Sequence, residues 1–202
     1  TEVVACLTLL AQKIKEKTKL PIGISVLWND YKTALSISKV VGLEFVRIPV
    51  FVDTVKTSYG TMEAKAKEIA LFQTHIGAEN VALFTDIHVK HSEIISKHTI
   101  LESAQLAIEQ GSDALIVTGK WTGDAPDITE LQSVFDSVKD FPILRGSGVN
   151  EQNIKELFKY SNGGIVSTSL KEGVEDKKEI NIKPYDNRIS LSKVTNLMNL
   201  SK

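Results

Sequence analysis

The 202-residue chain carries a single cysteine, Cys6, so no disulfide can form within it. Cys6 falls in an apolar helical stripe, which predicts a small core residue rather than a nucleophile. This usage fits a reducing compartment, with the cytoplasm or an organellar matrix as the expected location. Net charge is nearly lacking, since 24 basic residues face 25 acidic ones. That balance provides no bulk attraction to nucleic acid, and none is expected as a partner. Long apolar runs are missing too. None approaches the roughly 20 residues that cross a bilayer, so a transmembrane protein is not expected. No stretch reads as a secretory signal. The chain opens on Thr1 rather than Met, from which a true N-terminus further upstream is expected.

What is present is an ordinary globular composition, 42% hydrophobic and 24% charged, which suits one large core. The lysine-rich stretches 13–19 and 177–183 are interleaved with apolar or acidic residues and read as solvated surface. Along the chain one unit repeats. Val3, Val4, Leu7, Leu10 and Ile14 have helical spacing. The apolar run 22–27 predicts a buried strand, and Asp30 can cap a helix that Gly42 stops. Residues 45–52 form the next expected strand. A loop then leads to Thr61 as the cap of a helix reaching Ile76. A strand is expected over 81–89, followed by a helix opened by the capping-box pair Thr99 and Glu102. Further strands are expected over 114–118, 142–144 and 164–168. Asp127 and Asn150 cap the helices between them, and a last helix spans 191–200. Strict strand–helix alternation with continuously apolar strands points to parallel strands under crossover helices. The chain therefore reads as a single α/β domain over 1–202 with about six βα units. An open doubly wound sheet and a closed barrel both remain compatible.

In parallel α/β folds function collects at the carboxyl ends of the strands, and here those ends are polar. They carry Asn29 and Asp30, then Arg47, then Asp86, His88 and Lys90, then Thr118 and Gly119. Arg145 to Gly148 and Ser167 to Lys171 follow. Gly146-Ser147-Gly148 can bring backbone close to a ligand. A helix expected to start at once, at Asn150, would aim its N–H groups at the same place. Thr168 and Ser169 would add hydroxyls one unit later, which together makes an anion site. Asp86, His88 and Lys90 alternate along one strand, so they are expected on one face. Asp86 would orient His88 for proton transfer, and Lys90 would meet an anion or developing charge. No cofactor is expected. A divalent metal on Asp86 and His88 stays open, although a third ligand is not evident. Arg47, one of three arginines, lies in an apolar strand and needs a partner: a ligand anion or a carboxylate such as Asp86. Trp28 and Trp121, in strand-end loops, either line a pocket or cover core.

Several of these segments together resemble the BtpA family. They are 21–30 from Pro21 to Asp30, Phe45-Val46-Arg47, Asp86-Ile87-His88-Val89-Lys90-His91, and 114–119 with Thr122-Gly123. Gly146-Ser147-Gly148-Val149 and Thr168-Ser169-Leu170-Lys171 complete the set. The resemblance runs over essentially the whole chain in consistent order. It implies a (βα)8 TIM barrel of the phosphate-binding type, incomplete here, with these six units standing as strands three to eight. Ser25 and Pro49 depart from the resemblance, standing where Asn is expected, as does Trp28, where a long side chain is common. The family is named for photosystem I biogenesis in cyanobacteria.

The expectation is therefore an enzyme that binds a small phosphorylated metabolite, a sugar phosphate or nucleoside-derived compound, at the barrel's carboxyl mouth. Gly146, Ser147, Gly148, Thr168 and Ser169 would hold phosphate, with Thr118, Gly119 and Lys171 beside them. Asp86 and His88 would move protons, and Asn29, Arg47 and Lys90 would orient the substrate. No reaction class follows, and a homo-oligomer stays open. The alternative is a non-catalytic assembly factor for a membrane complex of the photosystem I type. A third reading is a ligand-binding sensor.

Overall fold

The alternation of apolar runs and capped amphipathic segments folds as expected in the computed structural model, which describes residues 1–174 and 186–201. The elements are α1 (Glu2–Lys15), β1 (Gly23–Ile24), α2 (Tyr31–Val41), β2 (Phe45–Ile48), β3 (Val55–Thr57), β4 (Gly60–Met62) and α3 (Ala66–His75). Then come β5 (Ala82–Ile87), β6 (Ser92–Ile94), α4 (Ile100–Glu109), β7 (Ala114–Val117), α5 (Ile128–Val138) and β8 (Ile143–Arg145). α6 (Ile154–Leu157), β9 (Gly163–Gly164) and α7 (Leu191–Leu200) complete the chain. Six strands form one parallel sheet in the order β1-β2-β5-β7-β8-β9. The sheet is curled like part of a barrel wall, and β1 and β9 are its two edges. The lysine stretch 177–183 lies outside the described residues.

Local chemistry sets most boundaries. Asp30 accepts from the Thr33 N–H at 3.1 Å, and Gly42 ends α2 at φ 77°. Thr99 and Glu102 close a full capping box on α4. Asp127 accepts from the Thr129 and Glu130 amides. Three expectations need correction. Helix α3 begins at Ala66, not after Thr61, because residues 55–62 form the antiparallel hairpin β3–β4. The Thr57 hydroxyl turns that hairpin, bonding the Gly60 carbonyl and the Tyr59 amide, both at 3.0 Å. Asn150 holds a turn by accepting from the Gln152 and Asn153 amides, and α6 starts only at Ile154. Cys6 is exposed, because α1 turns much of its apolar stripe away from the sheet: Val3, Leu9 and Leu10 are 60%, 61% and 56% exposed.

The two faces of the sheet differ. Val46, Ile48, Leu83, Ile87, Leu115, Val117 and Ile143 face the helices and are buried with Leu35, Ile69, Ala104 and Leu131. Each such Leu or Ile contributes about 1.5–3 kcal/mol by leaving water. On the other face Phe45 stacks on Phe84, ring centroids 4.5 Å apart, and both rings are half-buried. Gly23 makes room for this pair, since a Cβ there would lie 2.1 Å from the Phe45 ring. Over the carboxyl ends lies a second sheet, β4-β3-β6, built from the loops after β2 and β5. It rests on a small core of Val50, Val55 and Val89, packed by Trp28, Met62 and Ile94.

Candidate functional site

Arg47 is the fixed point of the site. Register puts it opposite Phe84 on the inner face, one step from Asp86 on β5. Its Nε and NH2 donate to the two Asp86 carboxylate oxygens at 2.7 and 2.6 Å. A fork-to-fork pair of this kind satisfies a buried carboxylate that would otherwise be prohibitive. Burial pushes the Asp86 carboxyl above its ordinary range, while Arg47 and then Lys90 pull the other way. Asp86 is thus held by Arg47, and no hydrogen bond joins it to His88 among the described residues.

β5 stops at Ile87, so the expected alternation of Asp86, His88 and Lys90 on one face does not hold. His88 takes φ 49° and His91 φ 61°, which turns the chain over the mouth. His88 Nε2 is buried with no hydrogen-bond partner among the described residues. The Lys90 amide donates to Thr118 Oγ1 at 3.0 Å, pinning the segment to the end of β7. Lys90 Nζ makes no hydrogen bond or ion pair among the described residues. Burial first, and the neighbouring Arg47 second, draw that amine below its ordinary range against the pull of Asp86. Gly146 closes the group, since a Cβ there would meet Thr118 Cγ2 at 2.5 Å and Arg47 NH2 at 3.5 Å. Arg47, Asp86, Lys90, Thr118 and Gly146 therefore converge at adjacent strand ends.

The Gly-Ser-Gly turn has a packing role alongside. Ser147 Oγ accepts from the Gly119 amide at 3.0 Å and donates to the Asp124 carbonyl at 2.6 Å. A Cβ on Gly119 would stand 2.5 Å from the Asp124 carbonyl oxygen, and one on Gly148 2.2 Å from the Ala125 nitrogen. The turn is locked onto loop 119–125, and the Ser147 hydroxyl is consumed there. Ser169 Oγ is likewise spent, donating to the Val149 carbonyl at 2.6 Å. That bond ties the two lip segments together. The amides of Ser147, Gly148, Val149, Thr168 and Ser169 find no acceptor among the described residues. Asn29 clamps the Val50 backbone, donating to its carbonyl at 2.7 Å and accepting from its amide at 3.0 Å. Lys171 lies past the lip, bridging to Ile189, and its carbonyl accepts from Lys193 Nζ at 2.9 Å. Trp28 covers the small valine core, and Trp121, 48% exposed, meets His91 edge-on at 5.4 Å. Among the described residues no three His, Cys, Asp or Glu gather as a metal set.

One pair escaped the sequence reading, and one residue counted among the polar strand ends lies buried instead. Asp53 Oδ1 meets His98 Nδ1 at 3.0 Å, and its other oxygen is buried without a partner among the described residues. The pair joins the loops after β2 and β5, whose meeting only the tertiary fold reveals. Arg145, at the end of β8, is fully buried, with NH1 and NH2 unpartnered among the described residues. Its Nε donates to the Gly163 carbonyl at 3.3 Å, and its guanidinium lies 4.1 Å from the Phe158 ring centroid.

Parallel strands alternating with helices, curled into a wall with polar groups at the carboxyl ends, define a (βα)-barrel protein. The N-(5'-phosphoribosyl)anthranilate isomerase of Pyrococcus furiosus, a TIM barrel, superimposes with a TM-score of 0.60 at 14% identity. The match covers 96% of this chain and 80% of that one. Its Thermus thermophilus counterpart gives 0.59 at 11% identity, covering 94% and 77%. The chain belongs to the BtpA family, whose model matches residues 1–194. Its relatives include PH1209 of Pyrococcus horikoshii, 38% identical over 90% of this chain and 69% of the relative. The Photosystem I biogenesis protein BtpA of Synechocystis is 33% identical over 84% of this chain and 59% of that protein. The chain thus spans between 59% and 69% of the length of these two relatives. Among the described residues no helix is long and apolar enough to cross a membrane.

Proposed function

We propose that this barrel mouth binds a small phosphorylated metabolite, a sugar phosphate or nucleoside-derived compound, and acts on it as an enzyme. The observation that carries the reading is the lip. Two segments on neighbouring strand ends, 147–149 and 168–169, are tied by the Ser169–Val149 hydrogen bond and present amides without acceptors. Backbone donors that no protein group takes up are free to bind an anion. The donors in this reading are the amides and the Thr168 hydroxyl, because the Ser147 and Ser169 hydroxyls are already engaged. Arg47 and Lys90 orient the remainder of the ligand, and His88, with its buried free Nε2, carries protons.

Titration of the full-length protein with inorganic phosphate, followed by a turnover screen of phosphorylated metabolites, tests this. Saturable phosphate binding is expected, weakened about tenfold or more in Thr168→Val, the loss typical of one hydrogen bond to a charged group. Absence of both binding and turnover refutes it.

The exposed apolar residues of α1 favour a second reading, a partner-binding biogenesis factor without catalysis, in keeping with the name of the Synechocystis relative. A folded His88→Ala protein that keeps its cellular role would support that reading. One that loses the role would exclude a pure scaffold.

A further inference from the structure

Lys90 is the one residue of the mouth cluster whose charged end is left over. We propose that Lys90 is a carbonyl-trapping amine, its Nζ condensing with an aldehyde or keto group of the bound ligand to form an imine. The inference rests on the phosphate reading of the lip and narrows the ligand to a phosphorylated aldehyde or ketone.

Placement comes first. The Lys90 backbone is fixed to Thr118 Oγ1, and Thr118 and Arg47 both close over Gly146, the residue that leads into the lip. A small molecule with its phosphate on the lip therefore has its other end beside Lys90. Partnership comes second. The carboxylate that acts on Lys90 is Asp86, and Arg47 occupies both its oxygens. An ammonium here stands half-buried beside a guanidinium, without a counter-ion of its own among the described residues. Burial and that like charge both favour the neutral amine, which is the nucleophilic form.

The step balances without a redox partner. The Nζ lone pair attacks the carbonyl carbon and the C=O π pair moves to oxygen. A proton passes from nitrogen to that oxygen to give a carbinolamine. The C–O bond then breaks as the hydroxyl takes a proton and leaves as water, and the nitrogen lone pair forms the C=N bond. His88, two residues away with Nε2 buried and unpartnered, is the proton carrier.

The test uses the full-length protein with pyridoxal 5'-phosphate, an aldehyde with a phosphate, and borohydride to fix any imine. Peptide mass spectrometry then locates the adduct, which adds the mass of the probe less one oxygen. Labelling at Lys90 about tenfold above the mean of the other 20 lysines is expected, as for an activated amine. It should vanish in Lys90→Arg, fall with excess inorganic phosphate, and weaken when pyridoxal replaces its phosphate ester. Labelling at Lys90 no greater than elsewhere, while phosphate still binds, overturns the imine and leaves the phosphate reading standing. Selective labelling of Lys90 that phosphate does not reduce upholds the amine and overturns the lip. Circular dichroism of Lys90→Arg and Lys90→Met establishes that a lost adduct is not lost folding.

Discussion

Arg145→Met should make the protein more stable. The Arg145 side chain is 0% exposed, and neither terminal nitrogen has a partner among the described residues. Burial draws its guanidinium down to about 10. At about 1.4 kcal/mol for each pH unit, keeping that charge costs on the order of 3 kcal/mol. Methionine fills a similar volume and carries no charge, and even replacing whole buried ion pairs by apolar residues is often neutral or stabilising by about 1–4 kcal/mol. Against this stand two losses. The contact with Phe158 is worth about 0.5–2 kcal/mol, and the Nε bond to Gly163 about 1 kcal/mol. The expected net is a gain of about 1 kcal/mol, or about 2–4 °C in Tm for a chain of this size. Urea unfolding of wild type and variant, compared at unchanged m-value, measures it. A loss of more than about 1 kcal/mol would refute the reasoning, because it would mean the guanidinium is paired by something the packing does not reveal.

Two further outcomes follow from the site. Gly148→Ala places a Cβ 2.2 Å from the Ala125 nitrogen at φ 65°, so it should lose about 2–4 kcal/mol in chemical denaturation and free loop 119–125 to exchange its amides. Asp86→Asn leaves Arg47 buried without its counter-charge and should cost about 3–5 kcal/mol, whereas Arg47→Met with Asp86→Leu should cost much less. A double-mutant cycle reads the difference, and equal losses in the single and double variants would argue against the pair as the anchor of the mouth.

Much of this architecture was legible from short-range chemistry. The caps at Asp30, Thr99 and Asp127 lie where the sequence places them, because a side-chain acceptor followed by free amides is a local event. Arg47 could be paired with Asp86 on paper, since a guanidinium in an apolar strand must find an anion and the neighbouring strand offers one. What could not be read is what depends on distant segments meeting. Thr61 has the type of a helix cap, yet its segment pairs with 55–57 because β6 waits on the other side of that strand. Gly146-Ser147-Gly148 suggests open backbone, but Gly148 and Ser147 are small because loop 119–125 lies against them. His88 breaks the alternation of its strand by a backbone rotation that an imidazole tolerates and that no periodicity announces.

The antiparallel layer over the mouth joins two connections that are 37 positions apart, Val55 to Ser92 at their starts. Because Val55 pairs with both Met62 and Ile94, neither loop can rise alone without tearing hydrogen bonds from the other. The Asp53–His98 contact fastens the same two connections a second time. Together they form one plate rather than two independent flaps, so an insertion tolerated in one has to be answered by a length change in the other. The layer over the strand ends therefore rests as one unit on Val50, Val55 and Val89.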